Sequence, residues 1–442
     1  MERTQPQPNT RDFVRKGSGI NPESAGFAPK IYVICLTGGP CAGKTTACSL
    51  LKEKLSSKFI LYFLPELAAT TVLAGVTIIP SEFTPKTHTV FTEGIMKMQM
   101  EMEDYFYKIA TIQKKDVIII TDRGCIDNLA YCSSEVKEEV LTRNGWTLEK
   151  IRDERYDAVI HLVTAADGAE EFYTLANNHA RTETPEVARW IDKRTQSVWT
   201  GHPFFTVVDN RRVRSFQEKM DEVYKCICKV ISIPEEPSYV RKFLIEGIFD
   251  LNSIPQELAH EEFTEVFNYL PSEDDTKEQI WVKKRISQAT NRCTYSLTRR
   301  RIAKDPSQRL ELMRTITSRQ YEEYLKITDK NKFPISKDVV VLVVDNHYYH
   351  IETLKVAGNK VSILRAFVVG ANEQNKLPKF ITVVKEVTED LEYFTYNMAS
   401  GPHGHGKAQA HEAEAKEAKT PTTPTSSEPK VQEAAPKEQP AK

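Results

Sequence analysis

The chain has 442 residues, 40% of them hydrophobic and 27% charged, with a formal net charge of −1. That length favours two domains with tails, and the near-neutral balance excludes a global field drawing the protein onto nucleic acid or an acidic membrane. None of the eight cysteines forms a C-x-x-C pair, no apolar stretch nears the ~20 residues of a membrane span, and residues 1–29 lack a secretory apolar core. Together these predict a cytoplasmic protein with reduced thiols, able to meet a membrane only peripherally.

Residues 1–29 are polar and aperiodic, and read as a disordered arm. The apolar run 31–36 then reads as a buried strand, followed at once by Gly38-Gly39-Pro40-Cys41-Ala42-Gly43-Lys44-Thr45-Thr46 and a helix over 44–55. Strand, G-x-x-x-x-G-K-T turn and helix start come in the order a P-loop needs. The glycines let backbone N–H groups turn inward around a phosphate at a helix N-terminus. Lys44 then reaches the β- and γ-phosphates, and Thr45 offers its hydroxyl to Mg²⁺. Further strands are expected at 59–64, 116–121, 157–163 and 204–210, with helices at 92–113, 186–199 and 215–231. Short apolar strands separated by helices predict a three-layer α/β domain on a parallel sheet over residues 30–231.

The strand ending in Asp122 has the Walker-B arrangement, a carboxylate at the sheet's carboxyl edge able to join the magnesium shell. Glu66, after the second strand, is a candidate general base or magnesium neighbour, or a helix-start residue favoured by the dipole. Arg123 is a phosphate contact or a salt bridge, and Asp127 a site residue or a helix cap. Arg181 and Arg189 are the candidate lid cations for phosphoryl transfer, while Lys193 and Arg194 read as solvated. No N-K-x-D motif stands at the strand end before Thr164-Ala165-Ala166-Asp167, so the base, GTP or ATP, is unassigned. The segments 36–46, Pro65-Glu66, Asp122-Arg123-Gly124-x-x-Asp127, 161–166 and Asn178-x-x-Arg181-x-Glu183 resemble the ATPase-like domain shared by NadR-type nicotinamide riboside kinases and the TRPL-translocation-defect family. This implies a thymidylate-kinase-like P-loop fold.

A proline-marked linker follows at 232–238. Residues 239–398 then become strand-dominated, predicting an antiparallel sheet or barrel of eight or nine strands with one helix at 318–327 and a core separate from the first. Basic residues recur with period two, placing Lys283 with Arg285, and Arg299 with Arg301, on one face, either a cationic lumen suited to polyphosphate, a phosphoinositide headgroup or RNA backbone, or a solvated outer face. Poor aromatic interleaving gives no strong nucleic-acid signal. Arg241-Lys242-Phe243-Leu244, Lys283-x-Arg285, Tyr295-Ser296-Leu297-Thr298, Ile316-Thr317-x-x-x-Tyr321 and Lys385-Glu386-Val387-Thr388 resemble a CYTH domain, the triphosphate-tunnel barrel. That family's E-x-E-x-K signature is absent: with Lys242 as its lysine, the carboxylate positions hold Ser238 and Val240, and the late ones Leu364 and Ala366. The resemblance thus implies a tunnel that binds anions without cleaving them.

The pairing of the two domains resembles the TRPL-translocation-defect family, which implies GTP binding, phosphoinositide binding and intracellular protein transport with a trafficking partner. The kinase-like parts Glu66, Asp122, Arg181 and Arg189 also fit a nucleoside-like small-molecule kinase, and a non-catalytic adaptor is a third reading. From residue 399 the chain is rich in Ala, Lys, Glu, Pro and Thr and reads as a disordered tail.

Overall fold

The computed structural model describes residues 29–76, 84–173, 183–231, 239–302, 310–356, 359–368 and 377–400. All but residue 29 of the expected arm 1–29, the linker 232–238, and all but 399–400 of the expected tail lie outside them.

The first half is built on five parallel strands: β1 (Ile31–Gly38), β2 (Ile60–Leu64), β3 (Val117–Asp122), β4 (Ala158–Leu162) and β5 (Phe205–Val208), in the order β2-β3-β1-β4-β5. Alternate strand residues face opposite layers. Ile34, Leu36, Ile118, Ile120, Ile160 and Leu162 pack with Leu51 and Leu55 of α1 (Lys44–Leu55) and Val223 and Ile227 of α6 (Phe216–Val230). Val33, Cys35, Val117, Ile119 and Val159 face the other way, with Met96 of α3 (Pro85–Thr111) and Trp199 of α5 (Pro185–Trp199). α3 begins seven residues before the predicted start, because Thr84 caps it and Pro85 supplies a preset φ at its first position. Between these lie α2 (Leu67–Leu73) and α4 (Ser134–Asn144), helices the periodicity did not reveal. All eight thiols are free.

The second half is one antiparallel sheet of nine described strands: β6 (Tyr239–Ile245), β7 (His260–Leu270), β8 (Glu278–Ser287), β9 (Cys293–Arg301), β10 (Leu310–Thr315), β11 (Ile335–Val344), β12 (His347–Val356), β13 (Asn359–Val368) and β14 (Val383–Glu386). Their order is β10-β9-β8-β7-β11-β12-β13-β6-β14. The sheet curls into a barrel whose seam runs between β10 and β14. α7 (Ser318–Leu325) starts on a Thr317/Gln320 capping box and buries Tyr321 against Leu270, Val282 and Ile316 outside the barrel. α8 (Thr395–Met398) follows β14.

The two halves do not bury separate cores. Phe263, Val339, Val341 and Tyr348 of the barrel belong to one apolar cluster with Tyr156, Val159, Trp199 and Phe205 of the α/β half. β12 lies over β5, with the Phe205 and Tyr348 rings edge-to-face at 5.5 Å. Buried Arg152 crosses the same boundary, pairing with Asp153 at 2.6 Å and with Glu261 of β7.

Candidate functional site

The P-loop hangs between β1 and α1. Gly43 sits at the N-cap of α1 with φ 94°, the left-handed region that a side chain disfavours. At Gly39 an added Cβ would meet Asp192 Oδ1 at 2.7 Å, so glycine is required by a close neighbour. That neighbour braces the loop: Asp192 Oδ1, from α5, accepts the Gly39 N–H at 2.8 Å and the Thr164 N–H at 3.0 Å, with His161 Nε2 at 3.1 Å. Burial opposes the Asp192 charge, but His161 and these donors outweigh it and hold the carboxyl below its ordinary range. From the other side, buried Lys219 of α6 donates to the carbonyls of Ala42 (3.0 Å) and Val163 (2.7 Å) and to Asn210 Oδ1 (2.7 Å). Burial lowers its pKa to about 8. Neither brace belongs to a sequence motif. Each joins positions far apart in the chain, so no local signal announces it.

Lys44 is buried, and burial together with Arg123 lowers its pKa. Asp122 lies opposite Leu36 in the β1–β3 register, at the carboxyl edge beside the loop. Burial pushes its carboxyl up, and its Oδ1 is buried with no hydrogen-bond partner. An orphaned carboxylate oxygen beside a P-loop lysine, with Thr45 exposed at the start of α1, is a donor set that fits a divalent cation. Thr46 is likewise exposed, and Cys41 takes a left-handed φ of 59° within the loop.

Glu66, at the N-cap of α2, accepts from Arg123 Nε at 2.9 Å, while Arg123 Nη1 donates to the Gly38 carbonyl at 3.0 Å. Arg123 therefore ties the ends of β1, β2 and β3 together across the crevice. Asp127 serves the frame instead: fully buried, it accepts from Thr37 Oγ1 (2.5 Å), the Gly124 N–H (2.7 Å) and Trp199 Nε1 (2.8 Å). Arg181 lies outside the described residues. Arg189 donates to the Ala166 carbonyl at 2.8 Å and to Glu186 at 3.0 Å. Lys193 is exposed, as expected, while Arg194 is half-buried, and both have partners. Lys193 Nζ donates to Asn346 Oδ1 at 2.7 Å, and Arg194 Nε to the Ala130 carbonyl at 2.5 Å.

Asn346 comes from the barrel. It and Asp345 form the two-residue β11–β12 turn, with φ of 62° and 47°, the primed geometry suited to hairpins. Its Oδ1 also accepts from Gln196 Nε2 (2.9 Å), its carbonyl from Arg212 (2.7 Å), and its Nδ2 donates to Asp167 (3.3 Å). Gln196 Nε2 in turn lies 3.2 Å from Asp192 Oδ2. A line of hydrogen bonds thus runs from the P-loop through α5 to the barrel.

Inside the barrel the cations converge. Lys283 and Arg285 of β8 face the lumen with Glu265 of β7 between them (2.8 and 3.5 Å). Lys337 and Arg365 both reach Glu352 at 2.8 Å. Burial opposes the Glu265 charge, but Lys283 and Arg285 hold the carboxyl down at about 2. Lys242 is opposite Arg365 in register, and Arg300 pairs with Glu311 at 2.7 Å. Arg299 and Arg301 lie on the outer face. β9 turns Thr294, Ser296, Thr298 and Arg300 inward, one residue out of phase with the expected pair. Likewise Leu364 and Ala366 pack in an apolar cluster outside the lumen, and Arg365 takes the inward place. Five cations against three carboxylates leave the lumen positive, with Lys242 as a sixth, titrating group. Arg285 Nε, Ser296 Oγ, His350 Nε2 and Arg365 Nε are buried there without hydrogen-bond partners. Donors in that state suit an anion.

Residues 33–219 match the family model described as an AAA domain, and this half is a P-loop nucleotide-binding domain. No curated protein matches the chain by sequence. Among solved structures, an Ehrlichia chaffeensis thymidylate kinase is 16% identical, covers 46% of this chain and 100% of its own, and gives a TM-score of 0.31. The inorganic triphosphatase NE1496 is 18% identical, covers 38% of this chain and 97% of its own, with a TM-score of 0.25. No helix among the described residues is long and apolar enough to cross a membrane.

Proposed function

We propose that the protein is a nucleotide-dependent regulator. Its P-loop half binds GTP or ATP with Mg²⁺, its barrel holds a phosphorylated polyanion such as a phosphoinositide headgroup, and its setting is intracellular protein transport. What carries this reading is the combination in one chain of a braced P-loop and a positive lumen with orphaned donors. The Lys44 ammonium and the loop N–H groups would take the phosphates. Thr45 and Asp122 would hold the cation, which when bound supplies the charge that offsets the phosphate oxygens. The carboxylates of the lumen are each tied to a cation, so the barrel binds rather than cleaves.

The test is binding of labelled GTP and ATP, with magnesium, to wild type and Lys44→Ala, and of phosphoinositide vesicles to wild type and the double variant Lys283→Glu, Arg300→Glu. Loss of nucleotide in the first variant and of vesicles in the second is expected. Vesicle binding retained at wild-type strength removes the lipid half of the reading.

One observation favours a second reading. Glu66, held by Arg123 in the crevice beside Asp122, would act as the base toward an acceptor hydroxyl in a nucleoside-like small-molecule kinase. Nucleoside-dependent release of ADP or GDP would establish it, and none across a nucleoside panel would remove it.

A further inference from the structure

The barrel has a floor, and the floor is the nucleotide domain. Arg285 Nη1 donates to the Gly201 carbonyl at 2.6 Å, just after α5. Tyr348 and Phe263 on the lumen face pack into the cluster that holds Trp199 and Phe205, and Arg152 pins Glu261 beside them. At the opposite axial end the segment after β14 fills the lumen. Tyr396 and Ala399 pack on Phe267, Tyr269 and Trp281, Met398 joins Leu354 and Ile363, and the Phe394 ring lies 4.0 Å from Lys242 Nζ. The exposure of the lining cations is least in the middle of the sheet and rises toward both edges of the seam. Arg285 and Lys337 are 4% and 5% exposed, Lys283 17%, Arg365 25% and Arg300 37%. Arg300 stands on β9, next to the unpaired edge of β10.

We infer that the lumen is a blind cationic pocket which, among the described residues, opens at the seam between β10 and β14. Its ligand is therefore the terminus of a polyphosphorylated molecule or a compact polyphosphorylated headgroup, never a polyanion threaded through. This rests on the anion-binding reading of the barrel and narrows it. A chain passing through would need to displace the Arg285–Gly201 contact and the core around Tyr348. A terminal phosphate group needs only to pass Arg300 and Lys283 to reach the unpartnered polar atoms of Arg365, His350 and Ser296.

The experiment is calorimetric titration of the full chain with tripolyphosphate and with linear polyphosphates of increasing length. Each is repeated on Lys283→Glu, Arg300→Glu, so that binding in the lumen is read as the part lost. The expected result is one protein per tripolyphosphate and, once chains are long enough to hold two, one protein at each chain end with no further growth. Lumen-dependent stoichiometry that grows beyond two with chain length overturns the blind pocket while leaving the anion-binding reading intact. Two further arms separate the sources. Competition between soluble inositol trisphosphate and phosphoinositide vesicles for that site supports a headgroup, and tripolyphosphate binding without competition from either supports a free phosphate terminus. No lumen-dependent binding of any of these probes overturns the anion-binding reading, and the pocket with it.

Discussion

Lys242 faces Arg365 on the lumen wall, and its charge depends on that company. Burial first, and then Arg365, lower its pKa to about 7. An unfolded lysine titrates near 10.4, so between about 7 and 10.4 the unfolded chain holds a proton that the native one has released. Across that window Lys242 makes the free protein more stable as pH rises. Anion binding runs the opposite way, since it needs the ammonium. Tripolyphosphate affinity is expected to fall about tenfold between pH 6 and pH 8.5, a step of roughly 1.4 kcal/mol. Lys242→Met should abolish the step, and a step that persists in that variant would show that another group sets it. At this scale the P-loop was legible from contiguous residues, because a turn around phosphate is local chemistry. Glu265, Lys337, Glu352 and Arg365 were not. Each finds its partner on another strand, and only the register brings them together.

β9 shows why the elements were easier to find than to phase. Tyr295 and Leu297 point outward because α7 covers that side, while Thr294, Ser296, Thr298 and Arg300 line a polar lumen. Alternation with polar residues inside and apolar ones outside reverses the usual reading of a strand. α5 hides its role in the same way. Its charged run reads as a solvated face, yet Asp192 clamps Gly39, and Lys193 and Gln196 hold the barrel's Asn346. Asn346→Gly keeps the left-handed turn and removes only the side chain. It takes one acceptor from half-exposed Lys193 and one from Gln196, which keeps only Asp192. Nucleotide affinity is expected to drop about tenfold in this variant although it lies in the other half of the chain. Unchanged affinity would mean that Asp192 holds the P-loop without help from the hairpin.

For the whole molecule, the shared cluster around Trp199 and Tyr348 makes the halves one cooperative body. A single calorimetric transition is expected, where separate cores would give two. Arg152→Ala should lower stability by about 3–5 kcal/mol, because it leaves Asp153 buried without its cation. A fragment ending at residue 231 should be aggregation-prone and bind apolar dyes, since Phe205 and Trp199 lose their cover. A soluble, dye-silent fragment would show instead that the α/β half closes its own core.

The position of β6 sets a schedule for the ribosome. β6 is the first barrel strand to be made, yet both its neighbours, β13 and β14, are among the last. Tyr348, which covers Phe205, emerges long after the α/β half is complete. At about 5–20 residues per second, the uncovered face waits on the order of ten seconds during every round of synthesis. The fragment ending at residue 231 is the released form of that waiting chain. Its solubility therefore measures how far nascent copies depend on chaperones.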